Sequence, residues 1–208
     1  VRKGKGLTEE YIKIMKDNDV PSWYIDSCNK IKYMFPKAHA SAYVLMAVRI
    51  AYFKVFHPIY FYATYFSIRA DDFDIATMIN GKEAVIERIT EILNKEYEAT
   101  AKEKSVLSIL EMSLEMLERG YHFTNIDLEK SDASKFIVDG KALIPPFRAI
   151  DGLGINVAEN LVEQRVEQEY RSIEDLQKRG KVNKTILTKL EILNVIDHLP
   201  EGDQLTLF

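Results

Sequence analysis

The chain has 208 residues, 47% of them hydrophobic and 29% charged, with a formal net charge of -4. That profile suits one large folded domain or two small ones and excludes a disordered or fibrous chain. The slight acidity argues against a general basic coat for nucleic acid, while placed cations and backbone amides still allow local binding.

The chain opens Val1-Arg2-Lys3-Gly4-Lys5-Gly6 rather than with methionine. No apolar core follows these basic residues, so they do not read as a signal peptide, and the chain reads as a piece of a longer protein. Thr8 is placed to cap an amphipathic helix through Lys16, and Pro21 to open a second helix running to about Met34. The second helix holds Cys28, the only cysteine, which excludes an internal disulfide or multi-cysteine zinc site. A buried structural thiol in a reducing cytoplasm is expected.

Pro36 starts a long helix to about Phe56. Tyr43, Val44, Met46, Ala47, Val48, Ile50 and Ala51 make it apolar nearly all round, as in a helix buried inside something larger. The apolar stretch Ala40 to Phe66 is broken by Arg49, Lys54 and His57-Pro58, so no membrane span is expected. Pro58 ends the long helix, and Ile59 to Phe66 restart a short one. His57 and His122 read as helix-ending structural residues. After Arg69 come Asp71, Asp72 and Asp74, read as helix capping and solvation rather than a metal site.

Two amphipathic helices follow, Lys82 to about Ala99 and Lys102 to Arg119, the second closed by Gly120. Phe136-Ile137-Val138 and Ala142-Leu143-Ile144 flank Asp139-Gly140, a short hairpin signal. Pro145-Pro146 marks a boundary with a compact helical module, Phe147 to His198. Pro200, Gly202 and two acids then suggest a flexible tail.

The sharpest motif is Ile150-Asp151-Gly152-Leu153-Gly154-Ile155-Asn156-Val157-Ala158. Two glycines around one apolar residue make a tight turn between helices, with Leu153 as its anchor. The amides of Gly154, Ile155 and Asn156 would then start a new helix, where free N–H groups and the dipole suit a phosphate. Ala158 would let the two helices approach closely. This is a helix-hairpin-helix pattern, similar to modules that hold the DNA backbone without reading its sequence.

Ser172 to Leu199 reads as a degenerate second copy. Ser172 to Asp175 is a capping sequence, and the second glycine is missing, leaving Gly180-Lys181-Val182 with Gly180 as the first. Lys181, Asn183, Lys184 and Thr185 are either phosphate contacts or a solvated helix start. The chain ends Gln204-Leu205-Thr206-Leu207-Phe208. Gln204, Leu205, Leu207 and Phe208 offer one amide and apolar anchors to a hydrophobic pocket. The pattern is similar to the bacterial sliding-clamp-binding pentapeptide.

With these motifs in place, Val1-Arg2-Lys3-Gly4-Lys5-Gly6-Leu7, Trp23-Tyr24-Ile25 and Tyr33-Met34-Phe35-Pro36-Lys37-Ala38-His39-Ala40 resemble the fingers of the PolC-type DNA polymerase III alpha subunit. Ala42-Tyr43-Val44-Leu45-Met46-Ala47 and Leu143-Ile144-Pro145-Pro146-Phe147 belong to the same resemblance, which covers essentially the whole chain. It implies the C-terminal region of a C-family replicative polymerase: a mainly α chain with helical fingers over residues 1–120, a connecting segment with a short β-hairpin over 121–146, a tandem helix-hairpin-helix module over 147–199 and a clamp-binding tail over 200–208. The likeness to tandem helix-hairpin-helix modules implies binding across a minor groove. The resemblance further implies that Tyr33 stacks at an incoming nucleotide, with Lys37 and His39 on its phosphates. Arg2, Lys3 and Lys5 on their Gly-rich turn could neutralise triphosphate or template phosphates.

The implied partners are duplex primer-template DNA, a sliding clamp, a deoxynucleoside triphosphate and other replisome subunits, in the cytoplasm and without a membrane. The catalytic aspartates and their Mg would lie upstream in a palm, so this piece is expected to bind no cofactor and to be inactive by itself. One alternative is a stand-alone, clamp-tethered DNA-binding module with no enzymatic role. A helix-hairpin-helix glycosylase is a second, disfavoured because Glu163 to Glu169 reads only as a solvated charged face.

Overall fold

A computed structural model describes residues 1–34 and 36–202. Its backbone contacts divide it into two units, Val1–Tyr52 and the chain from Phe53 onward.

In the first unit, α1 (Glu9–Asp17) starts where Thr8 Oγ1 accepts from the Tyr11 amide at 3.4 Å, and Glu9 and Glu10 complement the helix dipole. Helix α2 (Ser22–Lys30) stops short of the expected Met34. Its continuation would need the Met34 amide inside the helix, whereas Met34 donates to the Arg2 carbonyl at 3.4 Å and Ile31 is extended. Ile25 and Cys28 are the buried residues of α2.

Helix α3 runs from Lys37 to Phe56 and buries none of its side chains. Tyr43, Val44, Met46, Val48 and Ile50, expected to be buried inside something larger, are between 49% and 68% exposed in this chain. The apolar pattern fixed the helix correctly, but pattern alone does not supply the surface that covers it.

The second unit holds two cores. The first forms around Tyr62 and Phe66 on α4 (Pro58–Ile68), with Met78 on α5 (Ile75–Met78), Val85 and Ile92 on α6 (Lys82–Asn94), and Ile109, Leu110 and Met116 on α7 (Ala101–Glu118). At its centre the rings of Phe66, Phe73 and Phe136 surround Phe123, with the centroids of Phe66–Phe123, Phe73–Phe123 and Phe73–Phe136 each 5.0 Å apart and the rings edge-to-face. Asp74 caps α5, its carboxylate accepting from the Thr77 amide at 3.4 Å.

Helix α6 ends at Asn94 rather than Ala99 because Glu96 takes a positive φ of 45° and a short turn, Glu96–Glu98, intervenes. A capping box then starts α7: Thr100 Oγ1 accepts from the Glu103 amide at 3.2 Å, and Glu103 accepts from the Thr100 amide at 2.9 Å.

The expected hairpin is present as β2 (Ile137–Asp139) antiparallel to β3 (Ala142–Ile144), with Val138 opposite Leu143. A third strand, β1 (His122–Phe123), pairs parallel with β3, giving the order β1-β3-β2. His122 therefore lies in a strand rather than ending a helix. Two residues are too few for periodicity to reveal a strand.

The second core lies under α8 (Ile155–Glu167), α9 (Ile173–Gly180) and α10 (Lys184–Ile192), and includes Phe147, Leu153, Leu161, Leu176, Ile186 and Leu190. Ile126, Leu128 and Ala133, from the loop before the hairpin, belong to it as well.

Candidate nucleic-acid interface

Gly152 adopts φ +85°, a left-handed conformation that glycine reaches freely. The turn this permits drops Leu153 into the core at 5% exposure and brings Gly154 out as the N-cap of α8. Gly154 has no side chain with which to cap, and no side-chain cap hydrogen bond is made there. The first amides of α8 to find carbonyls are those of Val157 and Ala158, both on Gly154. The amides of Gly154, Ile155 and Asn156 have no acceptor among the described residues, and all three residues are exposed, as is Gly152. Three unpaired donors at the positive end of a helix suit a phosphate oxygen.

The second hairpin repeats this geometry with other residues. Lys181 takes the left-handed position at φ +55°, Val182 is buried at 3%, and Asn183 caps α10 by accepting from the Ile186 amide at 2.9 Å. The register is one residue later than expected. Lys181 and Asn183 stand where Gly152 and Gly154 stand in the first hairpin, and Gly180 ends α9. The Asn183 side-chain oxygen is committed to its own helix, while Lys181, Lys184 and Thr185 are exposed. Ser172 caps α9 as its sequence indicates, accepting from the Asp175 amide at 3.0 Å.

The two hairpins are tied together. Lys189 of α10 donates to both the carbonyl and the carboxylate of Asp151, the latter at 3.1 Å. That hydrogen bond, reinforced by the charges of Lys189 and then Lys102, holds the Asp151 carboxyl below its ordinary value. Asn160 of α8 donates to the Arg179 carbonyl at 2.8 Å.

Sequence reasoning missed this pairing, since no spacing rule joins residues 38 apart. It also missed Arg165, which lies in the stretch read as a solvated charged face. Its Nη1 donates at 2.8 Å to the carbonyls of Leu128 and Ser131, and its guanidinium lies 5.9 Å from the Phe147 ring. Arg165 is a staple rather than surface charge.

In the first unit, Arg2, Lys3, Lys5, Tyr33, Lys37 and His39 are all exposed. The Arg2–Met34 backbone bond brings the Gly-rich turn beside Tyr33, and the Val1 amino group donates to the Gly6 carbonyl at 3.0 Å to close that turn. Lys37 and His39 lie in the first turn of α3, where the His39 ring is 4.5 Å from that of Tyr43.

Asp71, Asp72 and Asp74 are each held by a different arginine, Arg148, Arg69 and Arg88. Among the described residues no group of three or more His, Cys, Asp or Glu side chains is arranged to hold a metal ion, and no helix is long and apolar enough to cross a membrane. Gln204, Leu205, Leu207 and Phe208 lie outside the described residues.

A family described as a helix-hairpin-helix motif matches residues 120–204. All 208 residues align at 60% identity with the DNA polymerase III PolC-type of Listeria innocua serovar 6a and with that of Bacillus subtilis strain 168. The corresponding protein of Pediococcus pentosaceus is 54% identical over the same span. The chain is covered completely in each comparison, yet it spans only 14% of the length of these relatives.

Proposed function

The chain belongs to the PolC-type DNA polymerase III family, and from that premise we propose that it holds duplex DNA behind the active site of a replicative polymerase and tethers that polymerase to its sliding clamp. The observation that carries the DNA reading is the pair of hairpins, each presenting an exposed turn and the start of a helix. Backbone amides at Gly154, Ile155 and Asn156 would take a phosphate of one strand, and Lys181, Lys184 and Thr185 a second phosphate. Amides and lysines address phosphate oxygens rather than base edges, so this grip is independent of sequence, as a moving polymerase needs.

In this reading Gln204, Leu205, Leu207 and Phe208 enter an apolar pocket on the clamp. Arg2, Lys3 and Lys5, with Tyr33, Lys37 and His39, form the nucleotide side of the fingers, their cations meeting triphosphate oxygens and Tyr33 stacking on the base. The remainder of the polymerase supplies the carboxylates and Mg for phosphoryl transfer, so the chain by itself does not extend a primer. The match across Val1–Tyr52 as well as the hairpins favours this over a stand-alone DNA-binding module.

The test is binding of primed duplex and of clamp by the chain, beside a variant lacking residues 204–208. Clamp binding lost with the tail and duplex binding retained supports the proposal. An intact chain that binds neither refutes it.

A further inference from the structure

Asp151 directly precedes the first hairpin glycine, and 84% of its side chain is exposed. It is shared by two lysines: Lys189 at 3.1 Å from α10, and Lys102 at 4.0 Å from the first turn of α7, in the other core. Beside them is a cleft also lined by Asp71, Asp72, Asp74 and Glu103. Three of those acids have a cation of their own, Arg148 for Asp71, Arg69 for Asp72 and Lys95 for Glu103, while Asp74 shares Arg88 with Glu91. Within the triad itself, one carboxylate faces two ammonium groups, so Asp151 neutralises only one of Lys102 and Lys189. Lys102 is 74% exposed, and among the described residues its ion pair is the long contact to Asp151.

We propose that Asp151 is a stand-in for phosphate: it holds Lys102 and Lys189 beside the hairpin until a DNA backbone phosphate takes Lys102 from it. The inference rests on the duplex-binding reading above and extends that interface from the two hairpins onto the start of α7. A phosphate at the Gly154–Asn156 amides adds a second anion next to Asp151. Like charges repel at that range, and Lys102, on its flexible stem, is the group free to turn from carboxylate to phosphate. Lys189, bound also to the Asp151 carbonyl, stays as the brace between the hairpins.

The experiment is duplex binding by the full chain across a salt series, with K102A, D151S and K135A, and a thermal melt of each to establish folding. Lys135 is an exposed cation without an ion pair among those described, and serves as the control. K102A should weaken binding about two- to fivefold at low salt, and lower the log–log salt slope by about 0.9, the value for one phosphate contact. D151S, which frees Lys102 and leaves Lys189 on the backbone carbonyl of residue 151, should tighten binding, and K135A should change neither quantity. An unchanged slope in K102A, or weaker binding by a folded D151S, overturns the proposal while duplex binding by the intact chain leaves the hairpin reading standing. Absence of duplex binding by the intact chain overturns both.

Discussion

Gly180 and Leu161 meet with no room for a methyl group between them: a Cβ on Gly180 would lie 2.7 Å from Leu161 Cδ2 and 3.3 Å from Val182 Cγ2. Leu161 is fully buried, so it cannot swing clear into solvent. The glycine at the end of α9 is what lets that helix close against α8. Gly180→Ala is expected to lower stability by about 1–3 kcal/mol through overpacking, read as a shift in urea midpoint at constant m.

Gly152 presents the opposite case. A Cβ there meets nothing nearer than Lys189 Nζ at 3.8 Å, so the restriction is the backbone angle and not space. Gly152→Ala should cost about 1–2 kcal/mol, the strain of a left-handed L-residue. Lys181 already bears that strain at φ +55°. Lys181→Gly should therefore be neutral or stabilising by up to about 1 kcal/mol, the unfolded-state freedom of glycine offsetting part of the relief. Equal losses from both substitutions in parallel denaturation curves would refute the equivalence of the two turns.

Glu115 gathers three partners: the buried Tyr62 hydroxyl at 3.0 Å, Lys54 Nζ at 2.6 Å and Arg119 Nη2 at 2.8 Å. Burial and this carboxylate together push the Tyr62 hydroxyl well above its ordinary value. Glu115→Ala strands the hydroxyl without its acceptor and should cost about 1–3 kcal/mol. Glu115→Gln, which keeps an acceptor oxygen, should recover part of the loss in thermal melts.

Glu103 gives a pH signature. The Lys95 hydrogen bond, followed by those from the Thr100 amide and hydroxyl, lowers its carboxyl from 4.5 to about 2. A depressed folded-state value means the stabilisation is complete above the unfolded value and drains away as pH falls towards the folded one. The stability advantage of the native chain over Glu103→Gln should hold above about pH 5 and shrink steadily down to about pH 2. A constant difference across that range would remove the carboxylate from the account.

Sequence legibility followed length and locality. Thr8, Pro36, Pro58, Ser172 and the Asp139-Gly140 turn act on their immediate neighbours, so their elements could be read directly. The first hairpin was legible because Gly152 and Gly154 leave few other conformations to the chain. The early end of α2 was not, since its cause is the Arg2 carbonyl, 32 residues before Met34. The register of the second hairpin was misplaced because Gly180 is needed for packing against Leu161, while the left-handed angle falls on Lys181. Residues brought together only by the tertiary fold, such as Asp151 with Lys102 and Lys189, leave no local trace.

The loop bearing Ile126, Leu128 and Ala133 has a consequence for the order in which the molecule is made. These side chains pack with Val195 and Ile196, and Asn125 bonds to the Leu193 carbonyl 68 residues later. On a ribosome, the phenylalanine-rich core has nearly all its residues once Ala149 has emerged. The hairpin core must wait until Val195 and Ile196 have emerged as well. Until then Ile126 and Leu128 stand as an open half-site, and the turn at Gly152 gains its full support only once about 45 more residues have been made after it.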